Sequence, residues 1–165
     1  MSIVGVDTMV LVWGLRSTST SASDELETRA QILLRQLEED KAEIVVPTIV
    51  VAELLTPIKV AKHGDFIAEL RRRFICPPFD LQSASLAADL WQRHRELPRK
   101  DQLARNVLKA DVLIIATACV AGAKLFYTHE RKCRRLAQLA KLETFDLPTH
   151  HENLFIDAEM RRGQD

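Results

Sequence analysis

Short apolar runs rich in β-branched residues recur at Ile3–Val6, 43–46, 124–127 and 143–147, and between them lie longer stretches whose apolar residues fall at helical spacing. No other property of the chain limits its architecture as much. Strands that alternate with helices are joined by right-handed crossovers, and the expected result is an α/β fold with a parallel sheet covered on both faces. The helices expected are 9–15, 24–40 with acids in its first turn, 48–56 with Thr48 as cap and Pro57 as stop, 63–74, 83–97, 105–122 and Arg131–Leu139. Pro77-Pro78 marks a turn, after which 79–81 reads as one further brief strand. Trp13 and Trp91 fall on apolar helical patterns and are expected in the core.

At 165 residues and 47% apolar content the chain suits one domain with one core, expected over 1–147, followed by a polar tail over 148–165. Residues 17–23, nearly all Ser and Thr, read as a mobile loop within an insert from 16 to 26 that would rim a site at the end of the first strand. Three cysteines without paired spacing, and no secretory signal, point to a reducing cytoplasm. The longest charge-free apolar stretch, 112–123, is far shorter than the roughly 20 residues of a membrane span. Because the formal net charge is zero, any nucleic-acid contact must come from a local basic patch.

Three acids interrupt apolar surroundings. Asp7 is the only charged residue among the first fifteen, Glu53 the only one from 44 to 58, and Asp111 opens a helical segment uncharged until Lys124. On that helix Val107, Asp111, Ile114 and Ala118 share a face, so the carboxylate stands where the pattern asks for a hydrophobe; Glu53 likewise shares a face with Ile49, Val50 and Leu54. A buried carboxylate must be paired, protonated or bound to a cation. Each acid taken singly has an ordinary explanation, Asp7 as a helix cap and the others facing an arginine. Three carboxylates facing one cleft would instead repel by roughly 1–4 kcal/mol per close pair, and a bound divalent cation removes that repulsion. Hard oxygen ligands suit Mg2+ or Mn2+ better than zinc. Ligand sites in parallel sheets lie beyond the carboxyl ends of the strands, which is where Asp7 and residues 128–130 fall.

Val-Asp-Thr at 6–8, Val-Ala-Glu-Leu-Leu at 51–55, the Ala-Asp-Val-Leu-Ile run from Ala110, and Leu-Phe-Tyr-Thr-His-Glu at 125–130 resemble the PIN domain, in order and over nearly the whole chain. The resemblance implies a three-layer αβα sandwich around a parallel sheet of four or five strands, and a metal-dependent ribonuclease pocket of three or four acids. Asp7, Glu53 and Asp111 match its first three acids and Thr128 its supporting hydroxyl. The fourth acid departs from the pattern, since Thr-x-Asp is usual and this chain has Glu130 two residues after Thr128. Catalysis and metal binding are therefore expected of Asp7, Glu53, Asp111 and Glu130 with Mg2+ or Mn2+, and substrate contact of Thr8, Arg16, Lys109 and Thr128. The resemblance extends to VapC-like toxins of toxin–antitoxin pairs, which implies an RNA substrate, an antitoxin partner and a homodimer.

From Arg93 to Lys109 the sequence carries six Lys or Arg against Glu96 and Asp101, which reads either as a solvated face or as a phosphate-contacting patch. Residues 71–73 and Lys132, Arg134 and Arg135 read as ordinary surface. Other functions fit less well. His129, Cys133 and His150-His151 do not supply a closed zinc set. A phosphatase would need an aspartate where Met9 stands, and no Gly-rich phosphate loop is present. A non-catalytic metal-binding or RNA-binding module is the alternative to a nuclease.

Overall fold

The computed structural model describes residues 2–15 and 25–149. The elements run β1 (Ile3–Val6), α1 (Thr8–Gly14), α2 (Glu25–Glu39), β2 (Glu43–Val45), α3 (Thr48–Leu55), α4 (His63–Arg73), α5 (Leu81–His94), α6 (Arg105–Val120), β3 (Leu125–Tyr127), α7 (Arg131–Leu139) and β4 (Glu143–Phe145). The strands form one parallel sheet in the order β2-β1-β3-β4. The step from β1 to β2 runs one way across the sheet and the later steps run back, so right-handed crossovers put α1 and α2 on one face and α6 and α7 on the other. Packing agrees: α1 lies on α2, and α6 lies on α5, on α7 and against β1. This is the three-layer sandwich, with the direction of winding reversed between β1 and β3.

Val4, Val6, Leu11, Leu33, Ile115, Phe126 and Leu136 are fully buried at its centre, each contributing about 1.5–3 kcal/mol of transfer free energy. Trp13 and Trp91 pack at the edge of the core. Gly5 sets how closely the layers approach: a Cβ there would stand 2.7 Å from the Phe126 ring and 3.2 Å from the Ala118 Cβ. Since Gly5 precedes Asp7 by two residues on one face of β1, and Ala118 follows Asp111 by two turns of α6, this contact also governs how those acids approach.

α2, α6 and α7 end in the same way. The N–H groups of Lys41, Gly122 and Lys141 bond the carbonyls three residues back, and those of Ala42, Ala123 and Leu142 the carbonyls five back, at 2.9, 3.0 and 3.2 Å respectively. These are Schellman turns, with φ of 55°, 93° and 61° at the left-handed residue. Glycine adopts that conformation freely, whereas each lysine does so at a cost of about 1 kcal/mol.

Two expectations change. Residues 79–81 do not form a strand, because the Asp80 carboxylate caps α5 by accepting from the Ser83 N–H at 2.8 Å and Leu81 is already helical. In its place a single bridge residue, Ile75, pairs with Val45 beside β2. Thr48 is not the cap of α3, since Pro47 occupies that position and no side chain bonds the helix end. The start of the expected tail is held, with Arg29 donating to the Leu147 and Pro148 carbonyls at 2.5 and 2.9 Å. The loop at 17–23, Arg16 and the tail from residue 150 lie outside the described residues. Among the described residues no helix is long and apolar enough to cross a membrane.

Candidate active site

At the reversal point the ladder runs one residue past the strands, as the Asp7 N–H bonds the Tyr127 carbonyl and the Thr128 N–H bonds the Phe145 carbonyl, both at 3.0 Å. Asp7 and Thr128 are thus fixed by backbone, side by side. Thr128 is fully buried and donates its hydroxyl to Asp7 Oδ2 at 2.8 Å, while accepting from the Glu130 N–H at 3.2 Å. Asp7 stands at the N-cap position of α1, yet its side chain makes no cap hydrogen bond. The N–H groups of Thr8 and Met9 lie near enough to favour its charged form, but the one side-chain hydrogen bond it makes is to Thr128, so capping does not account for this acid.

Asp111 reaches the same place from α6. The helix emerges from the core there: Ile114 and Ala118 are buried, Val107 one turn before Asp111 is exposed, and Asp111 lies between. Glu53 comes from α3 and accepts from the Thr8 hydroxyl. Glu130 stands at the N-cap of α7 and accepts from the Lys132 N–H at 3.1 Å. All four acids line one cleft of about 600 Å³, together with Thr8, Asn106 and Cys133. Among the described residues no Lys or Arg lines it, and none of the four acids makes an ion pair.

The electrostatics follow from that composition. Burial raises the Asp7 carboxyl above its usual range, opposed by the Thr128 hydroxyl and the N–H groups that open α1. Asp111 is pushed up to about 7, by burial first and then by the charge of Asp7, with smaller contributions from Glu53 and Glu130. Cys133 lies beneath them, 2% exposed, within hydrogen-bonding reach of Asp111 and Thr128. Burial and the two aspartates push its thiol well up, so it stays neutral. Asp146, at the end of β4, is the contrast: burial pushes its carboxyl up too, but His129 at 2.8 Å, the Leu147 N–H and Arg134 at 3.3 Å bring it below the usual range.

Carboxylate oxygens, partly desolvated and without a Lys or Arg beside them among the described residues, are the donor set a hard divalent ion takes. As placed, no three of the described Asp, Glu, His or Cys side chains close on one point, and Glu53 and Glu130 are turned to Thr8 and to the head of α7. The residues fit an ion held mainly by Asp7 and Asp111, with the two glutamates reaching it by rotation or through water.

The expected substrate contacts fare differently. Thr8 lines the cleft. Thr128 is enclosed and committed to Asp7, so its position suits holding a carboxylate and not touching a substrate. Lys109 stands outside the cleft, on an apolar groove with Phe79, Trp91 and Leu113. Two residues before Asp111 means about 200° around the helix, and the side chain faces away. The zinc grouping also separates: His129 precedes α7 and pairs with Asp146, edge-on to Trp13 at 6.2 Å, whereas Cys133 is buried under the acids. Asn106 lines the cleft without any sequence signal to single it out.

The family model described as PIN domain matches residues 4–139. The comparison with curated proteins returned no match. Among solved structures, the chain is similar to a VapBC2 structure from Rickettsia felis bound to a promoter DNA fragment, at 17% identity and TM-score 0.61, covering 88% of this chain and 99% of that one. It is also similar to VapBC-1 from nontypeable Haemophilus influenzae, at 16% identity and TM-score 0.62, covering 88% and 98%. DNA-bound VapBC from Salmonella typhimurium gives 12% identity and TM-score 0.61, covering 90% and 100%. At these identities the likeness concerns the fold.

Proposed function

The chain belongs to the PIN domain family, and from that premise we propose that it is a metal-dependent endoribonuclease, the toxin of a type II toxin–antitoxin pair. The observation that carries the reading is the pair of half-buried aspartates, Asp7 and Asp111, set in a cleft that no Lys or Arg lines among the described residues. Such a pair is unfavourable alone and favourable around a cation.

Asp7 and Asp111 would hold Mg2+ or Mn2+, with Glu53 and Glu130 completing the shell. The ion supplies charge neutralisation at the scissile phosphate and acidifies water. The chain's own part is positional. Thr128 holds Asp7 from below and Thr8 holds Glu53. Cys133 keeps water from the floor beneath Asp111. Asn106, at the rim, offers an amide for a phosphate or base. The antitoxin partner is proposed by analogy with the VapBC structures, whose fold this chain shares, and the homodimer from the family resemblance alone.

One observation favours the alternative of a non-catalytic module: Glu130 serves as cap of α7. A single experiment decides between them. Purified protein with Mg2+ or Mn2+ should cleave a mixed RNA substrate, EDTA should stop it, and Asp7→Asn should abolish it. Cleavage that survives Asp7→Asn, or none by the unaltered protein with either ion, would overturn the proposal. An adjacent reading frame whose product binds this chain and suppresses cleavage would identify the antitoxin, and light scattering would test the dimer.

A further inference from the structure

The segment that joins α5 to α6 is short on secondary structure and rich in tethers. Pro98 opens a 3-10 turn over Arg99–Asp101. The Gln102 amide donates to the Leu97 carbonyl at 2.7 Å, and the Leu103 N–H donates to Nε2 of His94, which is 2% exposed. Asp101, 7% exposed, accepts from Arg131 Nη1 at 2.7 Å, and Arg131 Nη2 donates to the Lys100 carbonyl at 3.1 Å. Arg131 is the first residue of α7 and follows Glu130 of the cleft; the other end of the segment runs into Asn106, also in the cleft. The segment is thereby fixed to two sides of the acidic site.

It presents Arg95, Arg99, Lys100 and Arg105, all exposed and none with a carboxylate at ion-pair distance among the described residues. Elsewhere Arg72, Arg73, Arg93 and Arg134 each sit on a carboxylate, while Arg71, exposed and without one among the described residues, lines a separate cavity with Phe74 and Cys76. Of the segment's own acids, Asp101 is consumed by Arg131 and only Glu96 is left. In a chain of zero net charge whose cleft is acidic, a polyanion needs a local source of attraction next to that cleft. Cations on a tethered segment provide it with less ordering cost than cations on a free loop.

We infer that residues 95–105 form a phosphate-binding rim for the RNA backbone, and that the Asp101–Arg131 pair is the brace that positions it. Arg95, Arg99, Lys100 and Arg105 contact phosphates; Asp101 and Arg131 act through them. The inference rests on the ribonuclease reading for the identity of the polyanion, and extends it by locating the binding track.

The test is fluorescence anisotropy of a labelled single-stranded RNA, titrated at several salt concentrations with EDTA present and in an Asp7→Asn background. Neutralising Arg99, Lys100 and Arg105 together to Gln should weaken binding and reduce the slope of log Kd against log salt by about 2, at roughly 0.7 per phosphate contact on a single strand. Neutralising Lys41, Lys124 and Lys141, which precede the strands at the opposite edge of the sheet, should leave the slope unchanged. Asp101→Asn is the sharper probe, because it removes a negative charge near the RNA. A purely electrostatic patch would then bind more tightly, whereas loss of the brace should weaken binding about threefold to tenfold. Equal slopes for the two triple variants, or no RNA binding at all, would overturn the rim; unchanged or tighter binding by Asp101→Asn would overturn the brace. Failure of the nuclease reading would show separately, as absence of metal-dependent cleavage by the unaltered protein.

Discussion

The two edges of the sheet are built on opposite principles. At the amino edge, each helix that returns into β2, β3 or β4 closes with a Schellman turn, so the end carbonyls are satisfied before the strand begins. At the carboxyl edge, β1 and β3 run out into Asp7 and Thr128, and the groups gathered there include carboxyls whose proton affinity is raised by burial and by neighbouring carboxylates, Asp7 by Glu53 and Asp111 by Asp7. Asp146 shows that the carboxyl edge can be neutralised, since it has His129 and Arg134 beside it. Its neighbours β1 and β3 do otherwise. Strand ends of the same sheet are thus consolidated on one side and left electrostatically unresolved on the other, which is the pattern expected where a fold gives up stability for chemistry.

The contrast breaks most decisively at Asp7. Asp7→Asn preserves shape and can still accept from Thr128, but removes the carboxylate proposed as a primary metal ligand, and RNA cleavage should fall by at least about 100-fold. Retained activity would mean that the unresolved charge at this edge has no role in catalysis.

Asp111→Asn should separate stability from function. Its folded-state value near 7 stands above the 3.8 of an ordinary aspartate, so the folded protein holds the extra proton. The stability tied to that proton is complete below about pH 4 and is lost as pH rises through 7. Without metal, Asp111→Asn should therefore be more stable than the unaltered protein at pH 8 by about 2–4 kcal/mol, with the difference vanishing toward pH 4. Urea melts at the two pH values measure it, and a variant less stable at pH 8 would contradict the assignment. Mg2+ or Mn2+ should raise the melting temperature of the unaltered protein and not that of the variant.

Thr128→Val leaves every acid in place and removes the hydroxyl that holds Asp7. Metal affinity should drop about 10-fold to 100-fold, with Thr128→Ser restoring it. The smallest effect is expected at the amino edge. Lys141→Gly should relieve its left-handed backbone and stabilise the protein by about 0.5–1 kcal/mol with cleavage unchanged, read from thermal melts and an RNA assay. Any activity change from Lys141→Gly would show that the two edges are coupled.

Much of the carboxyl edge was legible in the sequence because Asp7, Glu53 and Asp111 each interrupt an apolar pattern. Glu130 was placed by its position in the resembled motif, two residues after Thr128, and its use as a helix cap depends on where α7 begins. Lys109 shows the limit of sequence distance, since nearness to Asp111 along the chain counted for less than helical phase. The strand expected at 79–81 failed for a local reason that was readable: Asp80 and Ser83 have the spacing of a helix cap, and that signal outweighs a short apolar run. The thiol of Cys133 turned toward the acids was not readable, because composition gives burial but not orientation. The amino edge was half legible. Gly122 announces its turn, whereas Lys41 and Lys141 adopt the same turn with a residue that does not advertise it.

Gly5 carries a consequence for how such a site can change. Its hydrogen occupies the place where any side chain would strike Phe126 and Ala118. The gap between the strand that bears Asp7 and the helix that bears Asp111 is therefore shimmed from below by one uncharged position. A methyl inserted there would act on the acids as a wedge acts on a hinge, altering their separation without altering their number, charge or exposure. The spacing of the proposed metal ligands can in this way be tuned by volume alone, from a residue that neither binds nor sees an ion.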